Sequence, residues 1–142
     1  MNSNNYTRRD LKQILPLLLA AQTAAQDQRL ASQALRHEDL PVRKSAHISS
    51  RAMFKGRTHA NVLLDIHETE LAAGEAPHPP HSHIHEELVM IRSGVLDVTI
   101  AGKTTRVGPG SVLYIASNEF HGWRNPGTTS AQYFVLAVGD DS

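Results

Sequence analysis

The chain contains no cysteine, and this absence excludes several kinds of site. Its 142 residues include 9 histidines and no Cys, which rules out disulfides, iron–sulfur clusters, cysteine-rich zinc sites and thiol nucleophiles. An excess of charge of one sign is also missing, because 14 Lys and Arg residues balance 14 Asp and Glu residues. This balance argues against nucleic acid or an anionic membrane as the main partner.

The composition is that of one ordinary globular domain. Hydrophobic residues make up 40% of the chain and charged residues 20%, which is not the composition of a disordered protein. A chain of 142 residues has room for one domain and buries a real core without covalent cross-links.

Residues 1–25 have the layout of an export signal. Arg8, Arg9 and Lys12 precede an apolar run over residues 14–21, and small residues follow as far as Ala25. The run is too short to cross a hydrocarbon core of ~30 Å, so we expect no stable membrane span once the signal is removed. Residues 7–12 resemble the twin-arginine export motif, which implies a periplasmic or extracellular protein. The alternative is an amphipathic N-terminal helix that docks on the domain.

The remaining chain predicts short strands. Residues 26–34 are a polar linker, and apolar runs with Gly and Pro turns then follow over residues 35–139. No helical period follows residue 30, and this pattern is typical of an all-β sandwich or barrel. The predicted strands cover residues 61–71, 87–91, 95–100, 104–107, 111–116 and 131–138.

Four of the histidines fall within eight residues: His78, His81, His83 and His85. Residues two apart on a strand point to the same face, so His81 and His83 are placed to chelate one ion. Glu87 can add a carboxylate from the next strand, and His121 is the only histidine after the cluster. Imidazole and carboxylate ligands suit Zn, Fe, Mn, Ni, Co or Cu rather than Mg or Ca.

This spacing resembles the first motif of the cupin superfamily. That motif has a His-x-His pair, then three or four intervening residues, a glutamate, six intervening residues and a glycine, which fits His81, His83, Glu87 and Gly94. Its leading glycine corresponds to Gly74, with six intervening residues in place of five.

The second cupin motif has its counterpart further along the chain. Gly110, His121 and Asn125 stand at its glycine, histidine and asparagine positions. Ala116 replaces the usual proline and Asn118 the usual glycine. Asparagine tolerates a left-handed backbone, so we expect Asn118 to keep the turn.

The resemblance implies a single small antiparallel β-barrel of the jelly-roll type over residues 35–139. It implies one divalent transition metal ion inside, with His81, His83, Glu87 and His121 as ligands. Glu87 is also a candidate catalytic base. The implied turn and structural residues are Gly94, Gly110 and Asn125. Exposed barrel edges lead us to expect a homodimer.

Other residues are left with two interpretations each. Trp123 shares the inward face of His121 and lines a substrate pocket or belongs to the core. Arg92 binds a substrate carboxylate or is a solvated surface charge. His85 lies beside the ligands as a pocket residue or further ligand, or sits in an exposed turn. Tyr114 and Phe134 are expected in the core.

The implied site leaves about two positions of an octahedral ion open for water, dioxygen or substrate. We therefore expect an exported metal-dependent enzyme acting on a small oxygen-bearing substrate, with dioxygenase, isomerase, lyase and hydrolase chemistry all open. The alternatives are a non-enzymatic small-molecule or sugar binding module and a metal-free barrel. No second catalytic group besides the ligands is evident from the sequence.

Overall fold

The computed structural model describes residues 29–140. Within them, the regular structure consists of antiparallel strands and one short 3₁₀ turn at His37–Asp39. The all-β prediction is therefore confirmed. The predicted export signal, residues 1–25, lies outside the described residues. The strands are β1 (Arg43–Lys44), β2 (Ile48–Arg57), β3 (Leu63–Leu71), β4 (Glu86–Ser93), β5 (Leu96–Ile100), β6 (Lys103–Val107), β7 (Val112–Ile115), β8 (His121–Arg124) and β9 (Ala131–Val138).

The strands form two sheets of the jelly-roll type. The larger has the order β1-β2-β3-β9-β4-β7, and the smaller has the order β6-β5-β8. Alternate residues of each strand turn inward, so the inner faces supply the core. The fully or nearly fully buried hydrophobic side chains include Leu71, Val89, Ile91, Leu96, Val98, Ile115, Trp123, Tyr133 and Val135.

Strand β9 coincides with its predicted bounds, whereas β2 was not predicted. Polar residues such as Ser49 and Lys55 interrupt the apolar pattern of β2, and its pairing with β3 shifts between Ala52 and Phe54. A shift of this kind is a β-bulge, and it breaks the strict alternation by which a strand is recognised.

Two turns depend on special backbone conformations. Gly94 has a φ of 76°, and a Cβ there would lie 2.7 Å from the Cα of Ala131, so no larger residue fits. Asn118 has a φ of 61°, which confirms the left-handed conformation expected of it.

Asn125 is fully buried and ties three segments together. Its side-chain amide donates to the carbonyl oxygens of Leu71 and Thr129 at 3.1 and 2.8 Å. Its side-chain oxygen accepts from the backbone N–H of Gly127 at 2.9 Å. These bonds hold the chain where it leaves β8, so Asn125 supports the barrel rather than facing its interior.

The placement of Tyr114 in the core was wrong. Its neighbours Leu113 and Ile115 point inward, so Tyr114 points outward and is 55% exposed at the sheet edge. Phe134 also differs from expectation, because it lies half-buried on the outer face and lines a groove there with Leu35 and Met53.

Among residues 29–140, no helix has the length and hydrophobicity needed to cross a membrane.

Candidate metal centre

Backbone hydrogen bonds bring the two distant histidine segments together. His81 and His121 form a β-bridge in which the N–H of each donates to the carbonyl oxygen of the other at 2.9 Å. The N–H of Asn118 donates to the carbonyl of His83 at 2.7 Å. The strand expected through His81 and His83 is therefore absent, and only a single β-bridge at His81 forms. These hydrogen bonds hold the segment from His81 to His83 against the start of β8.

Glu87 completes the group from the inner face of β4. Its Oε1 lies 3.6 Å from Nε2 of His83, and its Oε2 lies 3.6 Å from Nε2 of His121. One ring nitrogen from each of His81, His83 and His121 lies within 4.8 Å of the others. The structure therefore brings all four implied ligands to one place, which we call the metal centre.

Two backbone carbonyls fix the protonation of the imidazoles. Nδ1 of His83 donates to the carbonyl oxygen of His85 at 2.8 Å, and Nδ1 of His121 donates to that of Glu119 at 2.8 Å. A ring nitrogen facing a carbonyl must carry the proton, so in the neutral tautomer that this bond selects, Nε2 keeps its lone pair. Both Nε2 atoms lie 3.6 Å from an oxygen of the Glu87 carboxylate.

The metal centre contains buried polar atoms that have no hydrogen-bond partner among the described residues. Buried polar groups without a partner are rare and costly in folded proteins. Lone pairs that face a carboxylate also repel it, and a cation among them removes both costs. The donor set of three imidazoles and one carboxylate therefore fits a divalent transition metal ion. The buried polar atoms without a hydrogen-bond partner are His81 Nδ1, His83 Nε2, Glu87 Oε2 and His121 Nε2.

The environment of His81 favours the neutral form of its imidazole. Burial lowers the pKa of His81 below its ordinary value, and the neighbouring His78, His121 and His83 lower it further. A metal binds the neutral imidazole, so this shift favours binding at neutral pH.

A cavity of about 460 Å³ opens beside Glu87. Trp123 lines this barrel cavity and is also 6% exposed, so it takes part in both the wall and the core. Its indole N–H donates to the Tyr133 hydroxyl at 3.0 Å. Burial raises the pKa of Tyr133 to about 12 although hydrogen bonds with Trp123 and Thr69 oppose the shift. Tyr133 therefore stays protonated and serves as a rigid part of the wall.

His85 lies close to the metal centre, whereas Arg92 does not. The ring of His85 stacks on His83 at 3.7 Å, and its Nε2 lies 3.5 Å from Oε1 of Glu87. Arg92 points to the outer face of β4 and donates to Glu68 at 2.6 Å. The structure thus places Arg92 away from the barrel cavity, in an ion pair rather than free in solvent.

Sequence reasoning missed His67 and Arg43, which both line the barrel cavity. Among residues 29–140, the ring of His67 makes no hydrogen bond. Burial lowers the pKa of His67 despite the opposing charges of Asp65 and Glu87, which leaves a neutral imidazole on the wall. The available signal was the strand period, because His67 is two residues from both Asp65 and Thr69 and so shares their face.

The comparisons with known proteins agree with the observed fold. The model of the cupin domain family matches residues 67–138. No curated protein sequence gives a significant match.

Solved structures share the fold at low sequence identity. An RmlC-like cupin of Shewanella frigidimarina is 13% identical, with a TM-score of 0.67 over 78% of this chain and 93% of its own. KdgF of Halomonas sp. is 15% identical, with a TM-score of 0.66 over 78% of this chain and 97% of its own. The polyketide cyclase RemF of Streptomyces resistomycificus is 19% identical, with a TM-score of 0.60 over 78% of this chain and 81% of its own. At such identities the likeness establishes the fold and leaves the activity open.

Proposed function

We propose that this chain, which belongs to the cupin domain family, holds one divalent transition metal ion and acts as a metal-dependent enzyme on a small oxygen-bearing substrate. His81, His83, Glu87 and His121 would hold the ion. The observation that carries the proposal is the set of four buried ligand atoms without hydrogen-bond partners. The adjoining barrel cavity has a volume typical of small-molecule sites.

A bound ion would polarise a substrate oxygen or lower the pKa of a bound water. The chain itself supplies the remaining groups. Glu87 both faces the ligand nitrogens and lines the barrel cavity, so its carboxylate is placed to take a proton from a bound substrate. His67 offers a second neutral acid–base group on the same cavity. If Glu87 is the base, Glu87→Gln retains the ion and loses turnover.

The reaction class is open among dioxygenase, isomerase, lyase and hydrolase chemistry. Relatives in fold include a polyketide cyclase and a predicted oxalate decarboxylase, so the barrel supports more than one reaction. A non-enzymatic small-molecule or sugar binding module is the second candidate, favoured by the hydroxyl groups of Ser50 and Thr69 on the cavity wall. A ligand that raises the melting temperature without being converted would support this candidate.

Elemental analysis of the untagged protein, purified without chelators, tests the metal proposal. We expect about one transition metal ion per chain in the wild type and almost none in His83→Ala, because that change removes one of four ligands. His59→Ala is the matched control, since His59 is an exposed histidine outside the metal centre. Wild-type protein that takes up no ion even after soaking with Fe, Mn, Zn, Ni, Co or Cu would contradict the proposal.

Export to the periplasm or cell exterior is also part of the proposal, supported by the arginine pair at Arg8 and Arg9 and the apolar run that follows. Cell fractionation should find the wild-type chain outside the cytoplasm and the double variant Arg8→Lys, Arg9→Lys inside it. Equal distribution of the two would count against export.

We also propose that two copies of the chain pair at the edge strand β7, where Val112 and Tyr114 are exposed. The mass of the protein in solution tests this pairing.

A further inference from the structure

We infer that Arg43, which lines the same barrel cavity as Glu87, binds an oxyanion group of the substrate, a carboxylate or a phosphate. The inference rests on the proposed function, since the other end of such a substrate would lie at the metal centre. It adds the chemical class of the substrate, for which the metal ligands give no indication.

The register of the larger sheet places Arg43 on the inner face. Arg43 pairs with Ser50, Ser50 with Thr69, and Thr69 with Tyr133. Cross-strand partners project to the same side of a sheet. Tyr133 and Thr69 are buried inside the barrel, so Ser50 and Arg43 lie on the same side of the sheet, with Arg43 exposed on the edge strand β1. Both line the same cavity as Glu87, so a molecule in this cavity has Arg43 and a member of the metal centre on its wall.

The charges of the cavity wall leave Arg43 without a counter-ion. Asp65 is paired with Lys55 at 2.6 Å, and Glu87 faces the imidazoles of the metal centre. Among residues 29–140, the side chain of Arg43 makes no ion pair or hydrogen bond. A guanidinium presents parallel N–H donors that match a carboxylate or phosphate, and the exposed guanidinium of Arg43 is free to reach such a group in the cavity that it lines.

Two further groups on this wall can assist the anion. The Ser50 hydroxyl lies beside Arg43 across the β1–β2 pair. His67 lies one inward position along β3 from Thr69, the partner of Ser50, and its neutral ring has one N–H to donate. Arg43, Ser50 and His67 thus form a donor-rich part of the wall of the cavity that Glu87 also lines.

Calorimetric titration of the metal-loaded protein tests the inference with three probes: succinate, glycerol phosphate and the neutral 1,4-butanediol. We expect at least one of the two anions to bind and the diol not to bind. Arg43→Met should lower the affinity for that anion by at least tenfold, which corresponds to about 1.4 kcal/mol of binding free energy. Lys44→Met is the matched control, because it removes the same charge from the adjacent residue of β1, which is exposed like Arg43 but does not line the cavity. We expect it to change the affinity by less than about twofold.

Each outcome bears on the inference. Tighter binding of succinate identifies a carboxylate, and tighter binding of glycerol phosphate identifies a phosphate. Failure of both anions to bind would overturn the inference, as would equal losses in Arg43→Met and Lys44→Met, which indicate general charge attraction. Metal analysis of the same samples separates the two proposals. If the protein holds no metal but still binds an anion in a way that needs Arg43, only the metal centre is contradicted. If the protein holds the metal but binds no anion through Arg43, only the role of Arg43 is contradicted.

Discussion

Addition of a divalent transition metal ion should raise the melting temperature of the wild-type protein and leave that of His121→Ala unchanged. Binding to the folded state alone stabilises it by about 2.7 kcal/mol at a concentration of 100 times the Kd. For a domain of this size the shift is roughly 10 °C. His121 is 1% exposed and its Nε2 has no other partner among the described residues, so its loss opens the metal centre. Thermal unfolding with and without the ion measures the effect.

The comparison within each variant removes the direct cost of the substitution. His121→Ala also creates a cavity and leaves the Glu119 carbonyl without its donor, so its melting temperature without metal should already be lower. Only the change on adding metal is diagnostic. The ion should raise the melting temperature of His59→Ala as much as that of the wild type. If the ion raised the melting temperature of His121→Ala equally, it would bind elsewhere.

The ion-dependent shift should shrink as the pH is lowered from about 7 to about 5, because protons compete with the metal for the imidazoles. The sign follows because a metal binds only the neutral imidazole, and the lowered pKa of His81 moves that competition to lower pH at this residue.

The metal centre could be predicted from the sequence because its spacing is local. His81, His83 and Glu87 lie within seven positions, and strand geometry limits where their side chains point. The distant His121 was singled out because it is the only histidine after the cluster, and the resemblance of the region around it to a second motif supported that choice. The bridge between His81 and His121 is a long-range pairing, and the spacing along the chain does not contain it.

The core placement of Tyr114 and the pocket interpretation of Arg92 failed for a different reason. Both could have been predicted from the strand period: Arg92 is five positions from the inward Glu87, and Tyr114 lies between the buried Leu113 and Ile115. An odd separation on a strand means opposite faces. Arg43 could not have been placed this way, because its position on the cavity depends on pairing across β2, which carries a bulge and few apolar residues.

The pairing that turns Arg92 outward creates a charged cluster on the outer face of the larger sheet. Glu68 is 1% exposed. Its carboxylate accepts hydrogen bonds from Arg92 at 2.6 Å and Arg51 at 3.2 Å, and it lies 2.6 Å from the ring of His37. These partners come from β4, β2 and the segment before β1, so one carboxylate joins three parts of the chain. Because Glu68 follows His67 on β3, the cluster also fixes the face on which His67 meets the cavity.

Glu68→Gln should destabilise the protein by about 3 kcal/mol at pH 7. The change breaks a buried ion pair and leaves Arg51 and Arg92 without their counter-charge. This figure is at the lower end of the usual range, since Arg92 and His37 keep part of their side chains in water. Denaturant unfolding measures the loss. Glu70→Gln is the matched control on the same strand: Glu70 accepts a hydrogen bond from Ser130 at 2.9 Å, and the loss should stay within about 1 kcal/mol.

The pH dependence separates charge from packing in this cluster. Burial by itself raises the pKa of Glu68, but the hydrogen bonds from His37 and Arg92 outweigh it, and the pKa lies below its ordinary value. A carboxyl with a lowered pKa in the folded state stabilises that state above its unfolded pKa of about 4.3. That contribution is lost as the pH falls through the folded value. The difference between wild type and Glu68→Gln should therefore be full at neutral pH and shrink below about pH 4, whereas a pH-independent difference would indicate packing alone.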